Sequence, residues 1–476
     1  MTLPSHTPVL VVGGGPVGLA LAGDLGWRGR SCVLVEKSDG RIFQPKMDVV
    51  GVRSMEFCRR WGITAAVEAG GYNREHPQDY AWVTGLHEGY ELGREPNPAP
   101  RDEPYPPQSP ARRERCPQNF FDPVLARWAQ SFATVAVRYG HELAGYEATE
   151  SGVTATLRDA ATGARHRMTC DYLVGCDGGA SVVREQAGIA MHGSPVLTYT
   201  TNAIFRSTEL KRLNRRKPGY RYIFIGPEGT WCTIVAIDGR DDYRFSYVGD
   251  ATKRMLDESE VRACLYRAMG RPFELEMISI MPWVRRQLVA ERYDHPSGRV
   301  FLAGDACHLT SPTGGFGMNT GLQDSVDLAW KLAARLEGWG GERLLATYDF
   351  ERRPVAVRNV TEATGNLKRM LKPRDERPPA AIFEPGPAGD AARKRFGDAY
   401  TEMMKREWFT IGIHLGFVYE GSPIVVPDGT PRPPDTVSTY TQTARPGSRC
   451  ARPRPLSSGG DGQETSLANL LTLLSA

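Results

Sequence analysis

Residues Val9-Leu10-Val11-Val12-Gly13-Gly14-Gly15-Pro16-Val17-Gly18 limit what this chain can fold into more than any other stretch. Four consecutive apolar residues suit a buried parallel strand. The glycines after them have the spacing Gly-x-Gly-x-x-Gly, and Leu21, Ala22 and Leu25 then recur at helical spacing. A second apolar run, Cys32 to Val35, completes the unit and ends on Glu36. Strand, glycine turn, helix, strand and acid predict a dinucleotide-binding βαβ unit. In such a unit Gly13 permits the tight turn, Gly15 lets the backbone approach a pyrophosphate, and Gly18 allows close helix–strand packing. The helix start offers unpaired N–H groups to phosphate oxygens. Glu36 can accept hydrogen bonds from a ribose and disfavours a 2′-phosphate, so the unit reads as a site for FAD or NAD rather than NADP.

Two later segments decide between FAD and NAD. Cys176-Asp177-Gly178 follows the strand Tyr172 to Val174, and Ser181 and Gly188 read as the cap and stop of a short helix that carries Arg184. Gly304-Asp305 follows the apolar strand Val300 to Ala303. Beyond it, Pro312 to Gly317 form a loop with little side-chain bulk, which can lie against a flat aromatic ring. A long helix then runs from about Gly317 to Leu336, with Leu322, Val326, Ala329, Ala333 and Leu336 on one face. Asp305 stands where a carboxylate can hold a ribityl hydroxyl. The start of the long helix presents positive charge to the anionic edge of a reduced flavin. One FAD satisfies all three segments.

Between these motifs the pattern changes. A helix is expected near Arg53 to Trp61, a loop through the prolines from Pro96 to Pro110, and a helix from Phe120 to Val135. Alternating strands are expected from Ala144 to Val174, with Gly163 at a turn. Residues 196–290 are rich in β-branched and aromatic residues, as in Tyr222 to Ile225, Trp231 to Val235 and Phe245 to Val248, and predict an antiparallel sheet. Phe224, Trp231 and Phe245 are candidates to face an aromatic substrate, with sheet core as the default reading. From Lys372 onward the chain is rich in Pro and Gly with few periodic segments. The expected fold is α/β: a Rossmann-like FAD-binding domain, an inserted mainly antiparallel β substrate domain and a truncated C-terminal extension. The FAD-binding domain is assigned residues 1–72, 97–190 and 285–372, the substrate domain 73–96 and 191–284, and the extension 373–476.

Composition narrows the partners. A net charge of +4 over 476 residues makes no case for nucleic acid or a membrane surface. No run approaches the roughly 18 apolar residues of a membrane span. The nine cysteines form no CxxC pair, which reads as reduced thiols in a cytoplasmic protein. The nine histidines share no ligand spacing, so no metal site is expected, and His308 reads as a structural hydrogen-bonding residue. Gly-x-Ser-x-Gly is absent, against a serine hydrolase.

With these motifs the chain resembles the FAD-dependent aromatic hydroxylases, the single-component flavin monooxygenases typified by para-hydroxybenzoate hydroxylase, from about Val9 to Arg449. The resemblance implies that Gly13, Gly15, Pro16, Val17, Gly18, Glu36 and Lys37 serve the adenosine and pyrophosphate. It implies Gln118 and Asp305 at the ribityl chain, Pro312 beside the flavin, and Gly317, Met318 and Asn319 at the ring's carbonyl edge. Asp177 and Arg184 match a motif serving both FAD and the incoming nicotinamide nucleotide. The implied reaction uses NADPH or NADH and O2 to form a flavin hydroperoxide that hydroxylates a phenolic or polycyclic aromatic substrate. Lys37 and Lys46 stand where the family often has Arg. Many relatives continue into a thioredoxin-like domain, of which this sequence has room for a fragment. A homodimer is left open. So are two other readings, a flavin-dependent halogenase or oxidase and a flavoprotein that binds an aromatic ligand without turnover. The chain has no second Gly-x-Gly-x-x-Gly unit for a separate nicotinamide domain, and Met281-Pro282-Trp283-Val284 does not match the WxWxIP segment of a halogenase.

Overall fold

The computed structural model describes residues 3–450. The remainder of the expected C-terminal extension, 451–476, lies outside the described residues. Strand His6–Val12 sits in the middle of a seven-stranded sheet, parallel to Cys32–Glu36 on one side and to Arg165–Gly175 on the other. Val9, Leu10 and Val11 are wholly buried, as a strand covered on both faces requires. Val300–Leu302 also pairs in parallel with Arg165–Gly175, so the strands leading into all three motifs end at the same edge of one sheet. Open parallel sheets bind ligands at that carboxyl edge. His141–Thr149 and Gly152–Asp159 extend this sheet in antiparallel fashion.

One expectation fails at the other edge. The helix thought to reach Val135 stops at Gln130, and Val135–Tyr139 is a strand parallel to Cys32–Glu36. Val135 and Val137 turn inward there while Ala136 is less buried, a period of two rather than of 3.6.

The second sheet has eight strands, in the order His308–Leu309, Glu276–Ala290, Met191–Arg206, Asp242–Val248, Gly229–Ala236, Arg221–Gly226, Tyr80–Val83 and Glu91–Glu95. All its pairs are antiparallel except that of Arg221–Gly226 with Tyr80–Val83. Its outer face carries Phe205, Phe224, Trp231 and Phe245, packed on helix Glu258–Met269 through Val261, Leu265 and Met269. On the other face Tyr80, Trp82, Ile223 and Val235 meet Leu367, Met370, Tyr400, Met404 and Trp408.

Tyr400, Met404 and Trp408 come from the stretch after Lys372 expected to have few periodic segments. Helix Thr347–Asp375 runs past Lys372, and Pro387–Trp408 forms a second long helix with Pro at its first position, where a missing N–H costs nothing. Gly397 lies inside this helix as a packing residue: a Cβ there would stand 1.6 Å from the Leu92 carbonyl oxygen. Among the described residues no helix is long and apolar enough to cross a membrane.

Candidate functional site

A cavity of about 710 Å³ lies between the carboxyl edge of the first sheet and the inner face of the second. Gly15, Pro16 and Val17 border one part of it, and Gln118, Asp305, Pro312, Gly317 and Met318 border the next. Thr200, Asn202, Thr233, Arg244, Ser246 and Arg285 contribute the sheet wall, and Trp283, Tyr80 and Trp408 add aromatic surface. Chain segments remote in sequence therefore converge on one volume.

The glycine turn divides its work among its glycines. A Cβ on Gly13 (φ +112) would lie 2.3 Å from the Cys176 carbonyl oxygen, and one on Gly18 would lie 2.0 Å from that of Gly13. These two glycines set the packing of turn, helix and neighbouring strand. A Cβ on Gly15 would meet nothing within 4 Å, because it projects into open space at the cavity. Gly15 is the N-cap of helix Pro16–Trp27 and supplies no side chain to its first N–H groups. Glu36 does not border the cavity; it accepts the Gly14 N–H at 2.8 Å and the Ser38 N–H at 2.8 Å, bracing the turn. Lys37 is exposed beside it, away from the cavity lining.

The long helix Phe316–Leu336 begins in the same way. Its N-cap Gly315 has φ +68, a conformation only glycine adopts without strain, and again no side chain caps the first turn. Asn319 holds this turn in place from behind. Its Oδ1 accepts the Gly51 N–H and the Ser54 hydroxyl at 2.7 Å, and its Nδ2 donates to the Val49 and Gly315 carbonyls. It is buried and does not line the cavity.

Asp177 and Arg184 are likewise behind the surface. Asp177 accepts the Ser181 hydroxyl and, at 3.2 Å, the Val183 N–H; burial raises its pKa against those hydrogen bonds. Ser181 caps the short helix as expected, accepting the Arg184 N–H at 3.0 Å. The Arg184 guanidinium donates to the carbonyls of Gly179 and Ala306, each at 3.1 Å. It thus ties the Asp177 turn to the Asp305 turn. Gln118 borders the cavity, with its Oε1 accepting the Lys46 N–H at 3.1 Å and its Nε2 donating to Asp122 at 3.0 Å. Asp122 is pushed up to about 8 by burial.

His308 is 1% exposed and bonds Asp324 at 2.7 Å, and Asp324 also takes Arg352 at 2.8 Å and the Gly304 N–H at 3.2 Å. Cys307, His308 and Asp324 sit close enough to share a cation. The Arg352 guanidinium already supplies that charge, and the cluster works as a brace for the Gly304–Ala306 turn.

Phe224, Trp231 and Phe245 require correction. They are buried on the outer face of the second sheet, beneath helix Glu258–Met269, and none borders the cavity. Successive strand side chains alternate between faces, so Arg244 and Ser246, flanking Phe245, meet the cavity; at Trp231 a bulge in the pairing with Arg221–Gly226 breaks the alternation, and Thr233 faces the cavity.

Several site residues were not anticipated. Asp48 accepts Arg115 at 2.9 Å, Arg244 at 3.3 Å and the Tyr220 hydroxyl. Burial opposes its charge, but the Arg115 and Arg244 guanidinium groups and the Tyr220 hydroxyl outweigh it and hold the carboxyl below its usual range. Glu407 Oε1 accepts Arg221 at 2.8 Å, and Trp408 stacks on Tyr80 with ring centroids 3.7 Å apart. The alternation Tyr243-Arg244-Phe245-Ser246-Tyr247 is the one sequence signal of a strand with a polar cavity face.

The donor set fits FAD. Two glycine-capped helix starts open on one elongated cavity, and no side chain caps either first turn. Such ends attract phosphate and anionic ring oxygens. The family profile described as FAD binding domain matches residues 6–363. The chain is 32% identical to the tetracenomycin A2 monooxygenase-dioxygenase of Streptomyces glaucescens over 75% of this chain and 67% of that one. Its fold superposes on chromopyrrolic acid-soaked RebC with bound 7-carboxy-K252c at a TM-score of 0.85 and 36% identity, covering 94% of this chain and 82% of RebC. For the flavin-dependent monooxygenase PieE in complex with FAD and substrate the values are 0.83 and 29%, covering 94% and 80%. The chain belongs to the FAD-dependent aromatic hydroxylases, the single-component flavin monooxygenases.

Proposed function

We propose that the protein hydroxylates a phenolic or polycyclic aromatic substrate with NAD(P)H and O2. The observation that carries this reading is the single cavity joining the uncapped helix starts at Gly15 and Gly315 to the mixed polar and aromatic wall of the second sheet. Relatives named for acting on tetracenomycin A2 or carrying 7-carboxy-K252c support a large aromatic substrate.

In this reading the N–H groups after Gly15 bind the pyrophosphate, and Glu36 serves the adenosine ribose from the turn it braces. Asp305 and Gln118 hold the ribityl chain, and Pro312, Gly317 and Met318 form the shelf for the ring. Asp177, Arg184 and Asn319 act indirectly, by fixing the turns that carry those contacts. Residues 73–96 and 191–284 supply the substrate layer. Bound FAD supplies the redox centre that accepts hydride from NAD(P)H and activates O2. The chain's own contributions are position, charge and dryness. The dipole of helix Phe316–Leu336 stabilises negative charge at its start. Trp283, Tyr80 and Trp408 exclude water from the space between shelf and sheet. Asp48, pinned by two guanidinium groups, presents a fixed ionised acceptor at the sheet wall.

The test is a screen of phenols and polycyclic aromatics for accelerated NAD(P)H consumption under 18O2, with product mass measured. Acceleration with one labelled oxygen in the product is expected. A holoprotein that consumes NAD(P)H only to make hydrogen peroxide, with every compound, would refute it.

A further inference from the structure

Arg285 is 4% exposed and borders the cavity, yet among the described residues no hydrogen bond or ion pair reaches its side chain; its Nε and Nη1 are buried without partners. Buried polar groups are nearly always paired, and an unpaired buried cation is costly. Thr198 lies directly opposite Arg285 in the register of Met191–Arg206 with Glu276–Ala290, which places the two side chains on one face. Thr200, two residues along, shares that face. The hydroxyls of Thr198 and Thr200 are also buried and unpartnered. Four polar atoms thus lack partners on one patch of one wall.

Of the nearby acids, Asp48 is taken, while Glu407 keeps its Oε2 buried without a hydrogen-bond partner and, among the described residues, forms an ion pair with Arg221 alone. Asp48 is held by Arg115 and Arg244, and Glu407 Oε1 by Arg221. Positive charge is left over. Burial, followed by repulsion from Arg221, Arg374 and Arg244 against the pull of Glu407, pushes the Arg285 pKa down to about 9. The patch also sits at a defined end of the site. Glu407, one of the charges that act on Arg285, accepts the Gly314 N–H at 3.3 Å, which links the patch to the loop of the Pro312 shelf.

We propose that Arg285, with the Thr200 hydroxyl, is the receptor for an anionic oxygen group on the aromatic substrate, a carboxylate or an ionised phenol. This rests on the substrate reading above and narrows it to aromatics that carry such a group. A guanidinium meets a carboxylate in a two-pronged geometry that an ammonium cannot copy. Arg285 is therefore a specificity-determining residue that orients the ring at the shelf.

Calorimetric titration of the holoprotein tests this without turnover, so a failure of oxygen transfer and a failure of this assignment read out separately. The probes are anthraquinone-2-carboxylate against its carboxamide, and 4-nitrophenolate at pH 8, where the guanidinium keeps its proton, against 4-nitroanisole; the two pairs distinguish a carboxylate from a phenolate. The native protein is expected to prefer the anionic member of at least one pair by roughly tenfold to a hundredfold, the worth of a charge-assisted hydrogen bond. Arg285→Met removes that preference while neutral probes and FAD bind as before, and Arg285→Lys restores part of it. The assignment is overturned by equal affinity for both members of each pair, by absence of binding of either anion, or by a preference that survives in Arg285→Met. Loss of FAD from both variants overturns it too, and gives the guanidinium to the flavin.

Discussion

Exchanging Gly15 and Gly18 for alanine, one at a time, separates cofactor binding from folding within a single turn. At Gly15 the backbone is extended, with φ −76 and ψ −179, and an added Cβ meets nothing within 4 Å. The cost of Gly15→Ala is then the weaker capping of alanine, about 0.5–1 kcal/mol, or a fall in Tm of about 2 °C. At Gly18 the same methyl stands 2.0 Å from the Gly13 carbonyl oxygen, a backbone atom held by its own hydrogen-bonded turn. Relief requires moving the helix off the sheet, costing about 3 kcal/mol or more. Flavin binding should move in the opposite order. The Gly15 methyl occupies the path of a pyrophosphate, and each phosphate hydrogen bond lost costs about 1.5–3 kcal/mol, roughly tenfold to a hundredfold in affinity. Gly15→Ala is expected to give a folded, nearly colourless protein, and Gly18→Ala a poorly folded one. Thermal unfolding of the apoproteins and FAD titration by fluorescence quenching measure both quantities. A Gly15→Ala protein that binds FAD like the parent would place the pyrophosphate elsewhere.

Other expectations are smaller in scope. Asp305→Ala should purify largely without flavin and bind added FAD roughly tenfold to a hundredfold more weakly; a fully yellow variant contradicts its role. Arg184→Ala leaves the Gly179 and Ala306 carbonyls without their donor, so Tm and FAD affinity should fall together. Slower flavin reduction by NAD(P)H with neither of those changes would point to a direct nicotinamide contact instead. His414 is driven down to about 4, first by burial and then by Arg113 and Arg358. The unfolded chain takes a proton near pH 6.5 that the folded chain refuses, so this part of the stability is complete above pH 6.5 and is lost as pH falls toward 4. The gap between 6.5 and about 4 corresponds to about 3 kcal/mol. In His414→Asn the decline in Tm between pH 7 and 4 should be shallower; an unchanged slope would refute the assignment.

The three cofactor segments were legible because each is local: a few residues fix a strand end, a turn and a helix start, and glycine at those positions has one steric meaning. The helix Pro387–Trp408 was not, for equally physical reasons. Its Gly389 and Gly397 belong to the Pro- and Gly-rich composition from Lys372 onward, yet each lets a neighbouring carbonyl come close. The Arg393 guanidinium is buried over the Tyr90 ring at 3.7 Å and donates to the Ile382 and Glu384 carbonyls, a role no local pattern marks. Glu407 and Trp408 were missed with it. On the second sheet the strands themselves were legible, but which face meets the cavity was not. Period-two alternation gives two faces without naming either, and the bulkier Phe224 and Phe245 drew attention from Thr233, Arg244 and Ser246. Arg285 gave no local signal, since what marks it is the lack of partners.

The helix that brings Trp408 against Tyr80 has a bearing on how the enzyme is made. Gly15 and Trp408 border the same volume, so a ribosome must synthesise nearly four hundred residues between them before that volume is enclosed. A nascent chain halted before Pro387 would hold the phosphate turn, the proline shelf, Tyr80 and Trp283, with Glu407 and Trp408 still missing from the wall. The wall of the cavity is thereby completed only by residues made late in translation.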